Sequence, residues 1–232
     1  GLEPVAPKPE LSLAANFLYM LTGEEPTPAA VRVMDVALVL HAEHGANAST
    51  FVARATASTL TDSYSAITAA IGSLKGPLHG GANEEAMDLI DRFQSVDEAV
   101  NEIKAMMARK ELIMGFGHAI YRESDPRNEV IKGYSEKLAD EVGDKLIYPV
   151  SCAIEKLMWD EKKLFPNADF FHASAYRFMG IPTPLFTPIF VCSRVTGWAA
   201  HVFEQRANNR IIRPSADYIG EEQRPVPPIS ER

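Results

Sequence analysis

The sequence has 232 residues, of which 46% are hydrophobic and 23% are charged, a composition typical of a globular protein. Its formal net charge of −8 argues against general nucleic-acid or membrane-surface binding, although a few arginines could still make one cleft positive. No apolar run reaches the roughly 20 residues that span a bilayer. Cys152 and Cys192 form neither a disulfide framework nor a metal spacing, which favours a reducing, cytoplasmic location.

Helical patterns follow one another along the chain, and clean alternating strand patterns are scarce. Residues 31–40 are apolar on almost every face, which predicts a buried helix. Further helices are predicted at residues 49–60, 63–74, 83–93, 97–110, 126–138, 146–163 and 188–206, and one more is predicted between Asp169 and Gly180. A proline-rich connector, 181–188, precedes the last of them. The sequence therefore predicts an all-α fold without internal repeats.

Side chains suited to helix N-caps precede several of these segments. They are Asn47 or Ser49, Asp62, Asp125 (with Pro126 in the first helical position) and Asp169.

Two histidines stand next to glycines. His79 lies in "GPLHGGAN" and His118 lies in "GFGHAIYRESDPR". Glycine has no Cβ, so backbone and imidazole there can come close to a small substrate. Either residue could equally be an ordinary loop histidine.

A third candidate is Asp169, which lies among phenylalanines in "FPNADFF". Burial among aromatic rings disfavours the charged carboxylate and raises its basicity, although a helix cap would also explain this residue. The C-terminal part adds four basic residues that could be a carboxylate clamp or solvated surface charge: Arg194, Arg206, Arg210 and Arg213. His41 and His44 have the spacing of a zinc pair, but no third ligand stands at a convincing distance, so no metal is predicted.

Together these groups predict one kind of chemistry. A carboxylate of raised basicity can remove a weakly acidic proton from carbon. Two imidazoles can stabilise oxygens on which negative charge develops, and arginines can bind a dicarboxylate bidentately. A base, two oxygen polarisers and a carboxylate clamp suit carbon–carbon bond formation through an enol.

The ordered motifs "HAEHGANASTF", "GPLHGGAN", "GFGHAIYRESDPR", "FPNADFF" and "SRVTGW…IIRP" resemble those of the citrate synthase family. The resemblance covers residues from about 10 to 222. Within the family, "KKLFPNADFF" and "NNRIIRPSADYIG" most resemble bacterial 2-methylcitrate synthases. However, "GHAIY" differs from the "GHPVY" associated with several methylcitrate synthases, so the choice between acetyl and propionyl donors stays open.

The resemblance implies a role for each candidate. His79 would polarise the thioester carbonyl, Asp169 would remove the α-proton, and His118 would protonate the oxaloacetate carbonyl oxygen. Oxaloacetate would be held by His44, Arg127, Arg194 and Arg213, the last reaching in from the partner subunit of a homodimer. Coenzyme A would contact Gly115, Phe116, Gly117 and Arg122. The condensed thioester is then hydrolysed, with acyl-CoA as a substrate and no metal or redox cofactor.

The family architecture implies a two-domain helical fold. Residues 1–81 would belong to a large domain, 82–180 to a small mobile domain, and 181–232 to the return into the large domain and a C-terminal arm. Family members carry further N-terminal helices, so we expect this sequence to lack the N-terminal part of the large domain. Two alternatives stay open at this point: a citryl-CoA-type lyase on the same scaffold, and a non-catalytic piece that only binds or oligomerises.

Overall fold

A computed structural model describes residues 3–232, which are helical as predicted and contain no β-strand. Phe116 and Pro166 form one isolated antiparallel bridge. The α-helices are α1 (Leu13–Thr22), α2 (Pro28–Ala42), α3 (Ala48–Ala57), α4 (Ser63–Leu74), α5 (Ala82–Ile90), α6 (Val96–Ala108), α7 (Pro126–Val142), α8 (Ile147–Lys162), α9 (Ala168–Phe178) and α10 (Phe186–Ala207).

Local capping chemistry explains where most helices begin. The side chains of Asn47, Asp62 and Asp125 each accept a backbone N–H from the first turn of α3, α4 and α7, as predicted. The prediction that Asp169 caps α9 is wrong. Asn167 is the cap, because its extended backbone lets Oδ1 accept the N–H of Asp169, which lies in the first helical turn.

Three other expectations need correction. Helix α1 was not predicted; it begins after Ser12, whose hydroxyl caps it. Helix α2 buries one face only, since Val33 is 2% exposed whereas Val39 is 69% exposed. The apolar composition of residues 31–40 therefore did not reveal which face of α2 packs against other helices. The 181–188 connector is shorter than predicted, because α10 begins at Phe186.

Two clusters of buried side chains hold the helices together. The larger joins α1 and α2 to α5–α9, and the smaller joins α3, α4 and α10 around Trp198. Alanines on α3 and α4 allow these two helices to pack closely, and α10 packs on both α2 and α3. The division at residues 81 and 180 stays a prediction. Within residues 3–232, no helix is both long and apolar enough to cross a membrane.

Candidate active site

A cavity of about 950 Å³ contains most of the side chains singled out from the sequence. The predicted residues that line it are His44, His79, Gly115, Phe116, Gly117, His118, Arg127, Asp169 and Arg194. They come from the ends of α2, α7 and α9, the middle of α10 and the two glycine-rich loops. Residues far apart in sequence thus meet in one place.

Two predicted residues do not reach this cavity within the chain. Arg122 is exposed in the turn before α7. Arg213 is exposed in the extended segment after α10, and it makes no hydrogen bond or ion pair with any part of residues 3–232. Their roles stay predictions.

His79 is held in a tight turn between α4 and α5. Added Cβ atoms would lie 2.6 Å from Leu74 at Gly80 and 2.7 Å from a backbone oxygen at Gly81, so the glycines permit this close packing. The Ser49 backbone N–H donates to His79 Nε2 at 3.3 Å, and the Ser49 hydroxyl lies 2.7 Å from the same atom. Burial, followed by the charge of Arg194, lowers the pKa of His79 to about 4.

These contacts define the protonation of His79. A backbone N–H can only donate, so Nε2 accepts and the neutral ring carries its proton on Nδ1. Nδ1 has no protein partner in the described part of the chain. His79 can therefore offer one neutral N–H to a ligand in the cavity.

His118 has the opposite tautomer. Its Nδ1 accepts the backbone N–H groups of Ile120 at 3.0 Å and Tyr121 at 3.1 Å, so the proton of the neutral ring lies on Nε2. Nε2 faces His44 Nε2 at 3.2 Å, which can accept its proton. Arg127 Nη2 lies 3.4 Å from the same atom, but a guanidinium can only donate, so it forms no hydrogen bond with a protonated Nε2. Burial and then Arg127 lower the pKa of both rings, that of His44 to about 4. His118 thus presents a neutral N–H donor, with His44 as its acceptor.

Asp169 is the carboxylate of the cavity. It lies in the first turn of α9, partly exposed to the cavity. Burial raises the pKa of Asp169 to about 7; Arg127 and Arg194 act against this rise, and Asp125 adds to it. A carboxylate with this pKa is a competent base near neutral pH.

Two arginines supply positive charge. Arg127 is fixed by Asp125, whose carboxylate accepts its Nε at 3.0 Å and Nη2 at 2.7 Å. Arg194 is 1% exposed; its Nε donates to the carbonyl of His41 at 2.6 Å, and its guanidinium stacks on Phe190. The terminal nitrogens of Arg194 have no protein acceptor among residues 3–232 and are free to bind an anion. Burial lowers the pKa of Arg194 to about 10, so it stays charged at neutral pH.

The glycine loop is attached to the start of α9. Gly117 N–H donates to the Phe165 carbonyl at 2.8 Å, and Asn167 N–H donates to the Gly115 carbonyl at 2.9 Å. The Asn167 side chain also donates to the Gly117 carbonyl at 3.0 Å. These bonds place residues 115–117 along one wall of the cavity.

Sequence reasoning missed several residues that organise the site. Asp125 was predicted only as a helix cap, yet it is buried and also binds Arg127 and the Ala168 N–H. Burial alone would raise the pKa of Asp125, but these hydrogen bonds and the charge of Arg127 hold it below its ordinary value. Ser49 was predicted only as an alternative cap of the helix that follows it, and Asn83 gave no signal beyond its position in the motif that contains His79. Within residues 3–232, no three His, Cys, Asp or Glu side chains come together as metal ligands.

Comparison with known proteins agrees with this geometry. The profile described as "Citrate synthase, C-terminal domain" matches residues 1–215. The 2-methylcitrate synthase of Shewanella oneidensis is 64% identical over 220 residues, which cover 95% of this chain and 59% of that protein. Citrate synthase 2 of Bacillus subtilis is 51% identical over 232 residues, which cover 100% of this chain and 62% of that protein.

Solved structures give the same result. Citrate synthase from Thermoplasma acidophilum, solved in a ternary complex with carboxymethyl coenzyme A and oxaloacetate, superposes with a TM-score of 0.88 at 38% identity. The match covers 97% of this chain and 61% of that one. The present chain thus spans about three-fifths of the length of its relatives, 59% and 62% in the two cases above. The sequence match and the shared fold confirm the resemblance seen in the motifs: this chain belongs to the citrate synthase family.

Proposed function

We propose that this chain carries the condensing site of an enzyme that joins an acyl-CoA to oxaloacetate and then hydrolyses the thioester. The observation that carries the proposal is the set of groups in one cavity. Asp169, with a pKa of about 7, shares it with two neutral imidazoles of opposite tautomer and two arginines. Such a set can make an enol and direct it at a carbonyl.

In the first step, Asp169 takes a proton from the α-carbon of the acyl group. His79 donates its Nδ1–H to the thioester oxygen, so the electrons left on carbon form an enol. Because His79 is neutral, it acts as a hydrogen-bond donor without placing a positive charge beside Asp169.

In the second step, the enol carbon attacks the ketone carbon of oxaloacetate. The ketone oxygen becomes a hydroxyl by taking the Nε2 proton of His118, and the proton that Asp169 removed then returns to this ring, so that both groups regain their starting state. Arg127, Arg194 and His44 bind the carboxylates, and Arg213 of another copy completes the clamp. Water then cleaves the thioester, which releases CoA and leaves 2-methylcitrate or citrate. The carbon skeleton changes without redox chemistry, so the proposal includes no cofactor.

Coenzyme A is proposed to lie along residues 115–117, where glycine leaves backbone groups accessible, with Arg122 near its phosphates. The segment 82–180 is proposed to close over both substrates and keep the enol from bulk water. The similarity to a relative named 2-methylcitrate synthase supports propionyl-CoA as a donor, and the similarity to relatives named citrate synthase supports acetyl-CoA, so the proposal includes both.

The test uses the complete gene product, with acetyl-CoA and propionyl-CoA side by side and CoA release as the readout. We expect Asp169→Asn to lower kcat by about 10²–10⁴, the contribution of a general base, while oxaloacetate binding measured by calorimetry persists. Asp160→Asn, which changes an exposed carboxylate on α8, is the matched control. Near-normal turnover in Asp169→Asn would reject the base, and absence of net thioester hydrolysis in the wild type would favour a lyase.

A further inference from the structure

The backbone that carries Asp169 is held by four side chains. Asp125 accepts the Ala168 N–H at 3.0 Å, and Asn167 accepts the Asp169 N–H at 3.1 Å. Such bonds satisfy the free N–H groups of any helix start. The two carbonyls are different: His172 Nδ1 bonds the Ala168 oxygen at 2.6 Å, and Asn83 Nδ2 donates to the Asp169 oxygen.

Each of these two donor side chains has a second polar atom that forms no hydrogen bond in the described structure. Asn83 and His172 are fully buried, and Asn83 Oδ1 and His172 Nε2 have no hydrogen-bond partner in the described structure. An orphaned buried polar atom is destabilising, so an apolar side chain would serve packing better. In both residues, the one polar atom with a partner is directed at the carbonyls flanking the Cα of Asp169.

The tautomer and the charge of His172 fit this task. A carbonyl oxygen only accepts, so Nδ1 carries the proton. Burial lowers the pKa of His172 to about 4, so the ring donates without a charge. The ring stacks on His41 at 4.0 Å, and His41 stacks in turn on Phe190 at 4.1 Å, which fixes its plane between α2, α9 and α10.

We propose that Asn83 and His172 are positioning residues for the proton-abstracting carboxylate. By holding both carbonyls of the first turn of α9, they fix the direction in which the Asp169 side chain leaves the helix. This inference rests on the proposed function, since it assigns a task only if Asp169 removes a proton. A displacement of about 1 Å at a reacting group can lower the rate about 10²-fold. Holding the backbone of Asp169 in place therefore protects the rate of proton abstraction.

The test compares His172→Leu with His172→Asn in the complete gene product. Asn places an amide N–H close to the position of Nδ1, whereas Leu removes the donor. We expect kcat to fall at least about tenfold in His172→Leu and to recover most of that loss in His172→Asn. The primary isotope effect with acyl-CoA deuterated at the α-carbon should rise in His172→Leu, because proton transfer becomes the slow step, while oxaloacetate affinity stays unchanged.

Ser174→Ala is the matched control. Ser174 is buried on the same helix and bonds Ser135 at 2.7 Å, away from Asp169. If a substitution at Ser174 or His172 only destabilises the fold, the isotope effect of that variant should stay at the wild-type value. If His172→Leu does not fold, Asn83→Ala carries the same test, with the same expected rise.

Either of two results would overturn the proposal. One is that His172→Leu keeps the wild-type kcat and isotope effect, and the other is that His172→Leu and His172→Asn are equally impaired. A wild type that releases no CoA from either acyl-CoA would instead reject the proposed function, so the two failures are distinguishable.

Discussion

Gly115 is the position at which one added methyl group should damage the site most. Its φ is +85°, a conformation that costs an L-residue about 1–2 kcal/mol. An added Cβ would lie 2.8 Å from Phe170 Cδ2 and 2.9 Å from Phe170 Cβ. Phe170 is fully buried against Phe116 and Phe171 and cannot turn away, which adds an overpacking cost of about 1–3 kcal/mol. We therefore expect Gly115→Ala to lower the free energy of unfolding by about 2–5 kcal/mol.

The damage should extend to activity. The Gly115 carbonyl accepts the N–H of Asn167, which caps the helix that carries Asp169. A backbone shift at Gly115 therefore moves the proposed base, and we expect kcat to fall as well as stability.

Gly133→Ala is the matched control, because it makes the same chemical change inside α7, where nothing lies within 4 Å of the added Cβ. We expect it to stabilise the protein by about 0.5–1 kcal/mol. Urea unfolding of the three proteins measures both effects. If Gly115→Ala and Gly133→Ala unfold at the same urea concentration, the strain and overpacking argument is wrong.

Two further predictions concern carboxylates. Asp125→Asn leaves the guanidinium of Arg127 without its counter-ion and should cost about 3–5 kcal/mol near neutral pH. Because the pKa of Asp125 is lowered in the folded state, its ionic contribution is present above about pH 4 and lost as the pH falls below it, so the difference from wild type in urea unfolding should shrink on acidification. For Asp169, whose pKa is about 7, only the ionised form is a base, so kcat/KM should rise with pH to a plateau above 7. A profile that is flat between pH 5 and about 8 would contradict this assignment.

Local sequence was sufficient where one short-range interaction decides the structure. Asn47, Asp62 and Asp125 each bond a backbone N–H two or three residues ahead, so their pattern is visible in a few letters. It was insufficient at the start of α9, where Asn167 and Asp169 both have side chains suited to capping. Asn167 is selected by a bond from its Nδ2 to the carbonyl of Gly117, 50 residues away in sequence.

The site was predicted in the same uneven way. His79, His118 and Asp169 stand in motifs whose composition indicates chemistry, and all three line the cavity. Asn83 and His172 were not found, because their task is to contact backbone from another helix or from the next turn. Such contacts leave no periodic or compositional trace, and only the folded backbone reveals them.

Arg213 is the predicted oxaloacetate ligand that the single chain leaves outside its cavity. Oxaloacetate, the proposed substrate, carries two carboxylates. The charge of Arg127 is partly offset by Asp125, which binds its Nε and Nη2, whereas both terminal nitrogens of Arg194 are free for an anion. A further cation from a second copy would complete the charge balance. Arg213 is exposed and without a partner in residues 3–232, in a segment that extends away from α10, which suits that role.

Co-expression of Arg213→Leu and Asp169→Asn chains tests this arrangement. Each variant alone should be nearly inactive. If Arg213 acts across the subunit boundary, a mixed dimer contains one site with both defects and one site with neither, so mixing restores activity. If Arg213 acts within its own chain, both sites of the mixed dimer stay defective. Activity recovered on mixing would therefore support a shared site, and mixtures as inactive as their parents would place Arg213 outside the partner's cavity.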